Sequence, residues 1–232
     1  ADEIAATLER FAALPGRCEY FSCDLTDENA VAQLVQQIDS SMGLVSGVIH
    51  GAGRNAPGAA AAPTIEQVLS EVSPKLLGVV NLMPALASRP LRCFIGLTSI
   101  IGVTGIPGNT WYAFSNETLD LILRQYKNWH PDTLVRSISY SAWSDVGMGA
   151  KGNVETNLRR MGVGMIPVQE GVARFMHAIE HDLEDTQMLV TSSLGGIDTW
   201  RPAGSDKSTR GSRFIEEVVS HEPGVSIKTR VN

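Results

Sequence analysis

Apolar residues recur along the chain with two alternating periods, one typical of helices and the other of buried strands. Spacings of three and four residues predict helices over 3–14, 26–43, 64–86, 109–129 and 168–181. Short apolar runs bounded by polar or glycine residues predict strands over 18–24, 44–50, 92–99, 133–143 and 187–193. Strands joined by connections of helical length indicate a parallel sheet covered on both faces. The expected fold class is α/β, with a Rossmann-like doubly wound parallel sheet.

Two segments depart from this alternation. Residues 144–167 are rich in glycine and methionine and are expected to form a mobile lid. The segment 203–219 opens with linker composition, so we expect a domain boundary near Pro202. This divides the chain into a domain over 1–202 and a linker toward a following domain over 203–232. An ordinary helix, turn and strand within the linker is one reading of the tail.

The charge balance excludes some partner classes. The 232 residues carry a net charge of −6 and no long basic run, which argues against binding to nucleic acid or to an anionic membrane surface. An anionic ligand remains compatible, because backbone N–H groups can bind phosphate. The sequence shows neither a signal peptide nor an apolar run long enough to cross a membrane, so a cytoplasmic location is expected.

The three cysteines, Cys18, Cys23 and Cys93, are odd in number and lack the spacing of a metal site, so no metal is expected. All three fall in predicted strands. Buried free thiols in a reducing compartment are therefore favoured over a disulfide framework.

Candidate chemistry is concentrated between residues 98 and 117. Ser99 ends a predicted strand, where open α/β sheets bind ligands, while Tyr112 and Asn116 share one face of the following helix. A tyrosine can protonate a carbonyl oxygen when a nearby ammonium lowers its pKa, and a serine hydroxyl can hold that oxygen. Such a site needs a lysine. Ser99 and Tyr112 also fit structural roles, with the serine capping a turn and the tyrosine packed in the core.

Five stretches carry a resemblance to a known family: HGAGR (50–54), SPKLLGVVNL (73–82), CFIGLTSIIGVTG (93–105), YAFSNE (112–117) and SAWSDVGMG (141–149). They are similar to the ketoreductase domains of polyketide synthases and animal-type fatty acid synthases, within the short-chain dehydrogenase/reductase superfamily. In those domains the active-site lysine lies on the helix preceding the tyrosine helix. An asparagine stands four residues after the tyrosine, as Asn116 does here.

The resemblance implies a role for each matching residue. Tyr112 would be the proton donor and Ser99 would orient the carbonyl, with Lys75 and Asn116 supporting the tyrosine. NADPH would be contacted by Asp24, Leu25, Gly51, Ala52, Gly53, Ala142 and Trp143. Gly147 and Met148 would belong to the lid over the substrate. Simpler roles also fit: a solvated helix lysine for Lys75, a helix cap for Asp24, and lid packing for Trp143 and Met148.

Some features of the family are missing. The Leu-Asp-Asp of one stereochemical class falls on Asn55, Ala56 and Pro57, and the tryptophan of the other class falls on Thr104. Product stereochemistry is therefore not assigned. The first βαβ unit, with its glycine-rich phosphate turn, is expected to be absent from this chain.

The function implied by the resemblance is NADPH-dependent reduction of a β-ketoacyl thioester on an acyl carrier protein. The product would be a β-hydroxyacyl thioester in polyketide biosynthesis. The expected partners are that carrier protein and neighbouring synthase domains, with a dehydratase as a candidate downstream neighbour. A non-catalytic ketoreductase-like domain that supports a neighbouring domain is the alternative. Such non-catalytic domains usually lose the active-site Tyr, Ser and Lys together, whereas this chain keeps all three. A free-standing dehydrogenase for small alcohols is disfavoured, because most of the superfamily has a lysine four residues after the tyrosine, where this chain has Asn116.

Overall fold

The computed structural model describes residues 2–150, 154–181 and 185–197, and the backbone of 215–222 and 226–231. Seven α-helices occur in these ranges: α1 (Asp2–Ala12), α2 (Glu28–Met42), α3 (Ile65–Leu86), α4 (Ile100–Thr104), α5 (Thr110–Trp129), α6 (Val154–Arg160) and α7 (Val168–Glu180). The strands are β1 (Gly47–His50), β2 (Cys93–Ser99), β3 (Leu134–Tyr140), β4 (Gln187–Val190), β5 (Ile215–Glu222) and β6 (Ser226–Val231).

The first four strands form one parallel sheet in the order β1-β2-β3-β4. β2 and β3 pair along their full lengths, from Cys93 opposite Leu134 to Ser99 opposite Tyr140. Because the strands are parallel, their carboxyl ends lie along one edge of the sheet. This edge carries His50, Ser99 and Tyr140.

Apolar side chains cover both faces of the sheet. On one face, Phe94 and Val135 pack against helices α2, α3 and α5. On the other face, Ile95 and Ile138 pack with Ala178 of α7. Neighbouring residues of a strand point to opposite faces, so the continuous apolar run of β2 serves both cores. The predicted Rossmann-like parallel sheet with helices on its two faces is confirmed.

The helix boundaries follow the signals in the sequence. Asp27 caps α2 by accepting the N–H groups of Asn29 and Ala30, and Gly43 ends that helix with φ +95°. Thr64 and Gln67 form a capping box at the start of α3. These local hydrogen bonds explain why the predicted bounds of α2 and α3 agree with the structure to within two residues.

One expected strand is absent, and the lid and the tail contain regular structure of their own. Residues 18–24 form no strand, because no described segment pairs with their backbone. The lid, residues 144–167, holds helix α6 and a 3₁₀ turn at Met148–Ala150, so its described part is partly regular. In the tail, the helix of one of the two interpretations is not observed, since β5 pairs with β6 in an antiparallel hairpin. The boundary near Pro202 lies outside the described residues.

The three cysteines are free thiols, as the sequence indicates, but their burial differs from expectation. Cys18 is exposed, and Cys23 and Cys93 are only partly buried. In the described part of the chain, every helix is too short or too polar to cross a membrane.

Gly96 sets how closely α5 can approach the sheet. A β-carbon at this position would overlap the side chain of Leu123 and lie 3.4 Å from that of Leu119. We expect Gly96→Ala to destabilise the domain by about 1–3 kcal/mol through overpacking. Urea unfolding of the full-length protein, followed by circular dichroism, would measure the change.

The matched control is Gly58→Ala, because an added β-carbon there meets no atom within 4 Å. Equal stability of the two variants would contradict the close approach of α5 at Gly96.

Candidate active site

Helix α5 positions two of the candidate residues through its buried face. This face repeats every three or four residues and comprises Tyr112, Ser115, Asn116, Leu119, Asp120, Leu123 and Tyr126. The leucines anchor the stripe on the sheet, and Phe94 packs edge-on against Tyr126 with ring centroids 5.1 Å apart. The same packing buries Tyr112 and Asn116 near the start of the helix.

Ser99 reaches this point from the sheet. It is the last residue of β2 and the N-cap of α4, where its Oγ accepts the N–H of Ile101 at 3.2 Å. Helix α4 contacts α5 closely, since a β-carbon on Gly102 would lie 3.1 Å from the backbone nitrogen of Glu117. The turn-capping role considered for Ser99 is therefore observed.

The phenol of Tyr112 is buried, with 8% of the residue exposed. Burial is the main influence on its pKa and raises it above the ordinary value. Hydrogen bonds with Ser99 and Asn116 act in the opposite direction, and the negative charge of Glu71 raises the pKa further. Tyr112 is therefore protonated throughout the neutral range and available as a proton donor.

Lys75 lies on the buried face of α3 and is 4% exposed, so the reading as a solvated helix lysine is wrong. Its Nζ donates to the carbonyl oxygen of Leu97 at 2.9 Å, two residues before Ser99 on β2. Burial lowers the pKa of Lys75 to about 8. The ammonium is thus the major form at neutral pH, next to the strand that ends in Ser99.

The expected lowering of the Tyr112 pKa is not observed. The pKa is raised, because burial outweighs the stabilising hydrogen bonds. The ammonium of Lys75 is directed at a backbone carbonyl rather than at the phenol oxygen.

Asn116 is 1% exposed and bonds back to the tyrosine backbone, its Nδ2 donating to the Tyr112 carbonyl at 2.7 Å. Its Oδ1 is buried and has no hydrogen-bond partner among the described residues. A buried amide oxygen is normally satisfied, so this atom is suited to accept a hydrogen bond from a bound molecule or water.

The residues expected on the adenine side of a cofactor lie between β1, α2 and α3. Asp24 is exposed, and its Oδ1 accepts bonds from the N–H and hydroxyl of Thr26, which lower its pKa. The carbonyl of Leu25 accepts Nδ2 of Asn81 at 2.9 Å. Asp24 thus shapes the turn before α2, while Asp27 caps that helix.

Gly51, Ala52 and Gly53 follow β1 without regular structure. A β-carbon on Gly53 would lie 3.1 Å from Cε of Lys75, and one on Gly51 would lie 3.3 Å from a methyl of Leu97. This small-residue segment therefore packs directly against Lys75 and the β2 strand.

After β3, Trp143 packs against the sheet and α7. Its ring meets that of Tyr140 edge-on at 4.9 Å, and a β-carbon on Gly171 would collide with it. The carbonyl of Ala142 accepts the N–H of Ile166 at 2.8 Å. Trp143 thus has the packing role considered for it, and these contacts anchor both ends of the lid.

Within the lid, Gly147 adopts φ +70° and Met148 leaves 46% of its surface exposed. Neither residue contacts the Tyr112 group in any hydrogen bond observed among the described residues.

The buried polar residues without a role assigned from the sequence include His50, Glu71 and Asp120. Nε2 of His50 lies 2.8 Å from the carbonyl oxygen of Lys75, which can only accept, so the ring donates. Burial lowers the His50 pKa, and the Lys75 charge adds to that effect. Glu71 and Asp120 each stand four residues from a candidate residue on the same buried helix face. This four-residue spacing was the feature of the sequence that could have identified them as candidates.

The parallel sheet with covered faces, and the strand-end serine beside a helical tyrosine, define a Rossmann-like fold of the short-chain dehydrogenase/reductase type. The sequence profile of the family described as "KR domain" matches residues 1–145. The chain therefore belongs to the family of ketoreductase domains found in polyketide synthases.

Individual relatives agree with this placement. Polyketide synthase PksN of Bacillus subtilis (strain 168) is 31% identical over 176 residues, covering 72% of this chain and 3% of PksN. A ketoreductase from the first module of phoslactomycin biosynthesis in Streptomyces sp. HK803 superimposes with a TM-score of 0.75 at 25% identity, covering 82% of this chain and 44% of that one. The chain therefore spans a small part of the curated relative and less than half of the solved ketoreductase.

A more distant structure shares the fold alone. An alcohol dehydrogenase from the archaeon Thermococcus sibiricus, complexed with 5-hydroxy-NADP, gives a TM-score of 0.66 at 17% identity. The alignment covers 87% of this chain and 83% of that one.

Burial of a charged Lys75 predicts a trade between stability and function. A pKa of about 8 corresponds to roughly 3 kcal/mol of unfavourable charge burial at neutral pH. Lys75→Met should therefore be at least as stable as the parent at pH 7. Between about pH 8 and the ordinary lysine value, only the unfolded parent retains this proton, so the parent's free energy of unfolding gains a contribution that rises with pH. The variant should lack that contribution.

Urea unfolding at a series of pH values would measure this difference. Lys127→Met is the control, because the Lys127 ammonium is partly exposed and donates to the carbonyls of Pro131 and Thr133. If Lys75→Met and Lys127→Met lost the same free energy of unfolding at pH 7, burial of the Lys75 charge would not be costly.

Proposed function

We propose that the chain is a β-ketoacyl reductase domain. It would reduce the β-keto group of an acyl thioester on an acyl carrier protein, with NADPH as reductant, to give a β-hydroxyacyl thioester in polyketide biosynthesis. The observation that carries the proposal is the burial of Tyr112, Ser99 and Asn116 together at the carboxyl end of β2, with Asn116 bonded to the Tyr112 carbonyl. The family membership of the chain supports the same reaction class.

The chemistry assigns one task to each residue. Tyr112 donates its phenolic proton to the oxygen of the keto group as that oxygen gains negative charge. The raised pKa keeps the phenol in the donor form at neutral pH. The Ser99 hydroxyl hydrogen-bonds the same keto oxygen and orients it. Asn116 holds the tyrosine from the next helical turn, consistent with its bond to the Tyr112 carbonyl.

Lys75 acts on this group from the side of the sheet. Its ammonium is buried behind β2 and is the major form at neutral pH. A positive charge near the reacting centre favours the developing phenolate and alkoxide. Its bond to the Leu97 carbonyl supports this placement near Ser99.

The residues suited to a nicotinamide cofactor form a strip along the ends of β1 and β3. When bound, NADPH would supply the hydride. Asp24 and Leu25 would lie on its adenine side. The small residues Gly51, Ala52 and Gly53 would let the protein backbone pass close to the cofactor. Ala142 and Trp143 would border the nicotinamide, with Gly147 and Met148 in the lid. The Oδ1 of Asn116, which is buried without a hydrogen-bond partner among the described residues, fits such a ligand.

Several relatives are large synthases of which the chain matches only a few per cent, which supports neighbouring synthase domains as partners. We propose that the acyl carrier protein delivers the substrate to this domain. A downstream dehydratase would act on the β-hydroxyacyl product.

Replacement of Tyr112 by phenylalanine tests the proposal. The variant keeps the ring but lacks the acidic hydroxyl, so we expect the chemical step to slow by roughly 10²-fold or more while cofactor affinity is retained. Single-turnover oxidation of NADPH by the full-length protein, with a β-ketoacyl thioester as substrate, would measure this.

Tyr126→Phe is the matched control, since it removes a hydroxyl from the same buried face of α5 fourteen residues further on. Normal turnover by the Tyr112 variant would refute the assignment. A parent protein that binds NADPH without reducing any β-ketoacyl thioester would instead favour a non-catalytic ketoreductase-like domain.

A further inference from the structure

Glu71 is a buried carboxylate that the proposed reaction does not use. It lies on α3 one turn before Lys75, on the same buried face, with 6% of its surface exposed. Acidic side chains are rarely buried without a specific partner. Its position therefore calls for a functional or structural explanation.

The Glu71 side chain ties a loop to α3. Its Oε1 accepts the backbone N–H of Ala56 at 3.1 Å, and the preceding residue, Ser70, accepts Nη1 of Arg54 through its Oγ at 2.8 Å. Two adjacent residues of the helix thus hold the segment 54–57. This segment directly follows the small-residue strip 51–53.

The far side of the same loop is tied to the start of α5. The N–H of Gly58 donates to the Gly108 carbonyl at 2.8 Å, and Nε1 of Trp111 donates to the Ala60 carbonyl at 3.3 Å. Between these ties lies an open cavity of about 380 Å³. Its walls include Arg54, Glu71, Gln67, Asn109 and Trp111. Trp111 is the residue immediately before Tyr112.

We propose that Glu71 is a positioning residue of the reductase, which holds the 54–57 loop and brings its carboxylate to the wall of the cavity that Trp111, the neighbour of the proton-donating Tyr112, also lines. The proposal rests on the β-ketoacyl reductase function proposed above. The Glu71 carboxylate would then have two separable roles. Its oxygen holds the loop by accepting the Ala56 N–H, and its charge acts on Tyr112.

The charge role acts on the direction of proton transfer. Reduction needs the protonated phenol, whereas oxidation of the alcohol needs the phenolate. A negative charge nearby disfavours the phenolate, and Glu71 accordingly adds to the rise in the Tyr112 pKa. Glu71 thereby keeps the donor form of the tyrosine populated to higher pH.

Other ionisable groups surround this pair. Arg54 lines the cavity from the loop, and Lys75 lies one turn further along α3 with its Nζ on the Leu97 carbonyl. His50, at the end of β1, donates to the Lys75 carbonyl. Arg54 and Lys75 are present in parent and variants alike, so a change confined to Glu71 isolates its own charge.

Two substitutions separate the roles. Glu71→Gln keeps a side-chain oxygen that can accept the Ala56 N–H but removes the charge. Glu71→Asp keeps the charge but is one methylene shorter and loses reach to that N–H. Glu66→Gln, on the exposed first turn of the same helix, is the matched control for the change in net charge.

The first readout is the ionisation of Tyr112 in the full-length protein, obtained as the difference in absorbance near 295 nm between each variant and its own Tyr112→Phe partner. We expect Glu71→Gln to ionise Tyr112 at lower pH than the parent does, whereas Glu71→Asp and Glu66→Gln titrate like the parent. This readout needs no turnover. A Gln variant that titrates like the parent would overturn the charge role.

The second readout is hydrogen exchange at the Ala56 amide. We expect faster exchange in Glu71→Asp and parent-like exchange in Glu71→Gln. Unchanged exchange in the Asp variant would overturn the loop role.

Kinetics with NADPH and the 3-oxobutanoyl thioester of N-acetylcysteamine complete the test. We expect the alkaline fall in kcat to move to lower pH in Glu71→Gln with KM retained, and KM to rise several-fold in Glu71→Asp with the pH profile retained. The shifts in titration and exchange without any turnover by the parent would uphold the positioning by Glu71 and reject the reductase function. Turnover by the parent without those shifts would uphold the reductase function and reject the positioning role of Glu71.

Discussion

The packing of α5 on the sheet is the constraint on which the rest of the site depends. Leu119 and Leu123 anchor the helix over Gly96, where the absence of a side chain allows the closest approach. The same stripe, continued two turns toward the start of the helix, carries Asn116 and Tyr112 into the protein. Apolar burial therefore fixes the distance and angle at which the tyrosine meets Ser99.

Burial of these polar groups has an energetic cost that their contacts only partly offset. Lys75 loses its hydration and gains one carbonyl acceptor, so its pKa falls to about 8. Tyr112 gains hydrogen bonds with Ser99 and Asn116, yet its pKa still rises. The site therefore holds a phenol and an ammonium, rather than a phenolate, at neutral pH. That arrangement suits proton donation during reduction.

The segment from 50 to 58 connects the two sides of this site. Its glycines allow the backbone to pass against Lys75, and its later part is held by Ser70 and Glu71 of α3. A loop restrained at both ends can border a cavity without being part of the sheet. The candidate cofactor strip and the cavity thus share one short stretch of chain.

The order of helices and strands could be read from the sequence, because periodicity and capping act within a few residues. Asp27, Gly43 and Thr64 lie at helix ends within two residues of the predicted bounds. Ser99, Tyr112, Asn116 and Lys75 were identified from their motifs, and family membership followed from the same residues. The structure brings the first three together and places Lys75 behind the same strand.

Only the tertiary structure decided the properties that depend on burial and on distant pairing. Residues 18–24 have the composition of a strand, but a strand needs a neighbour, and none of the described segments pairs with them. The tail forms a hairpin because β5 and β6 pair with each other, which local propensity does not reveal. The raised pKa of Tyr112 and the contact of Glu71 with Ala56 arise where α3, α5 and a loop meet. The sequence identified Tyr112 but not Glu71, because the partners of both residues are set by atoms distant in the chain.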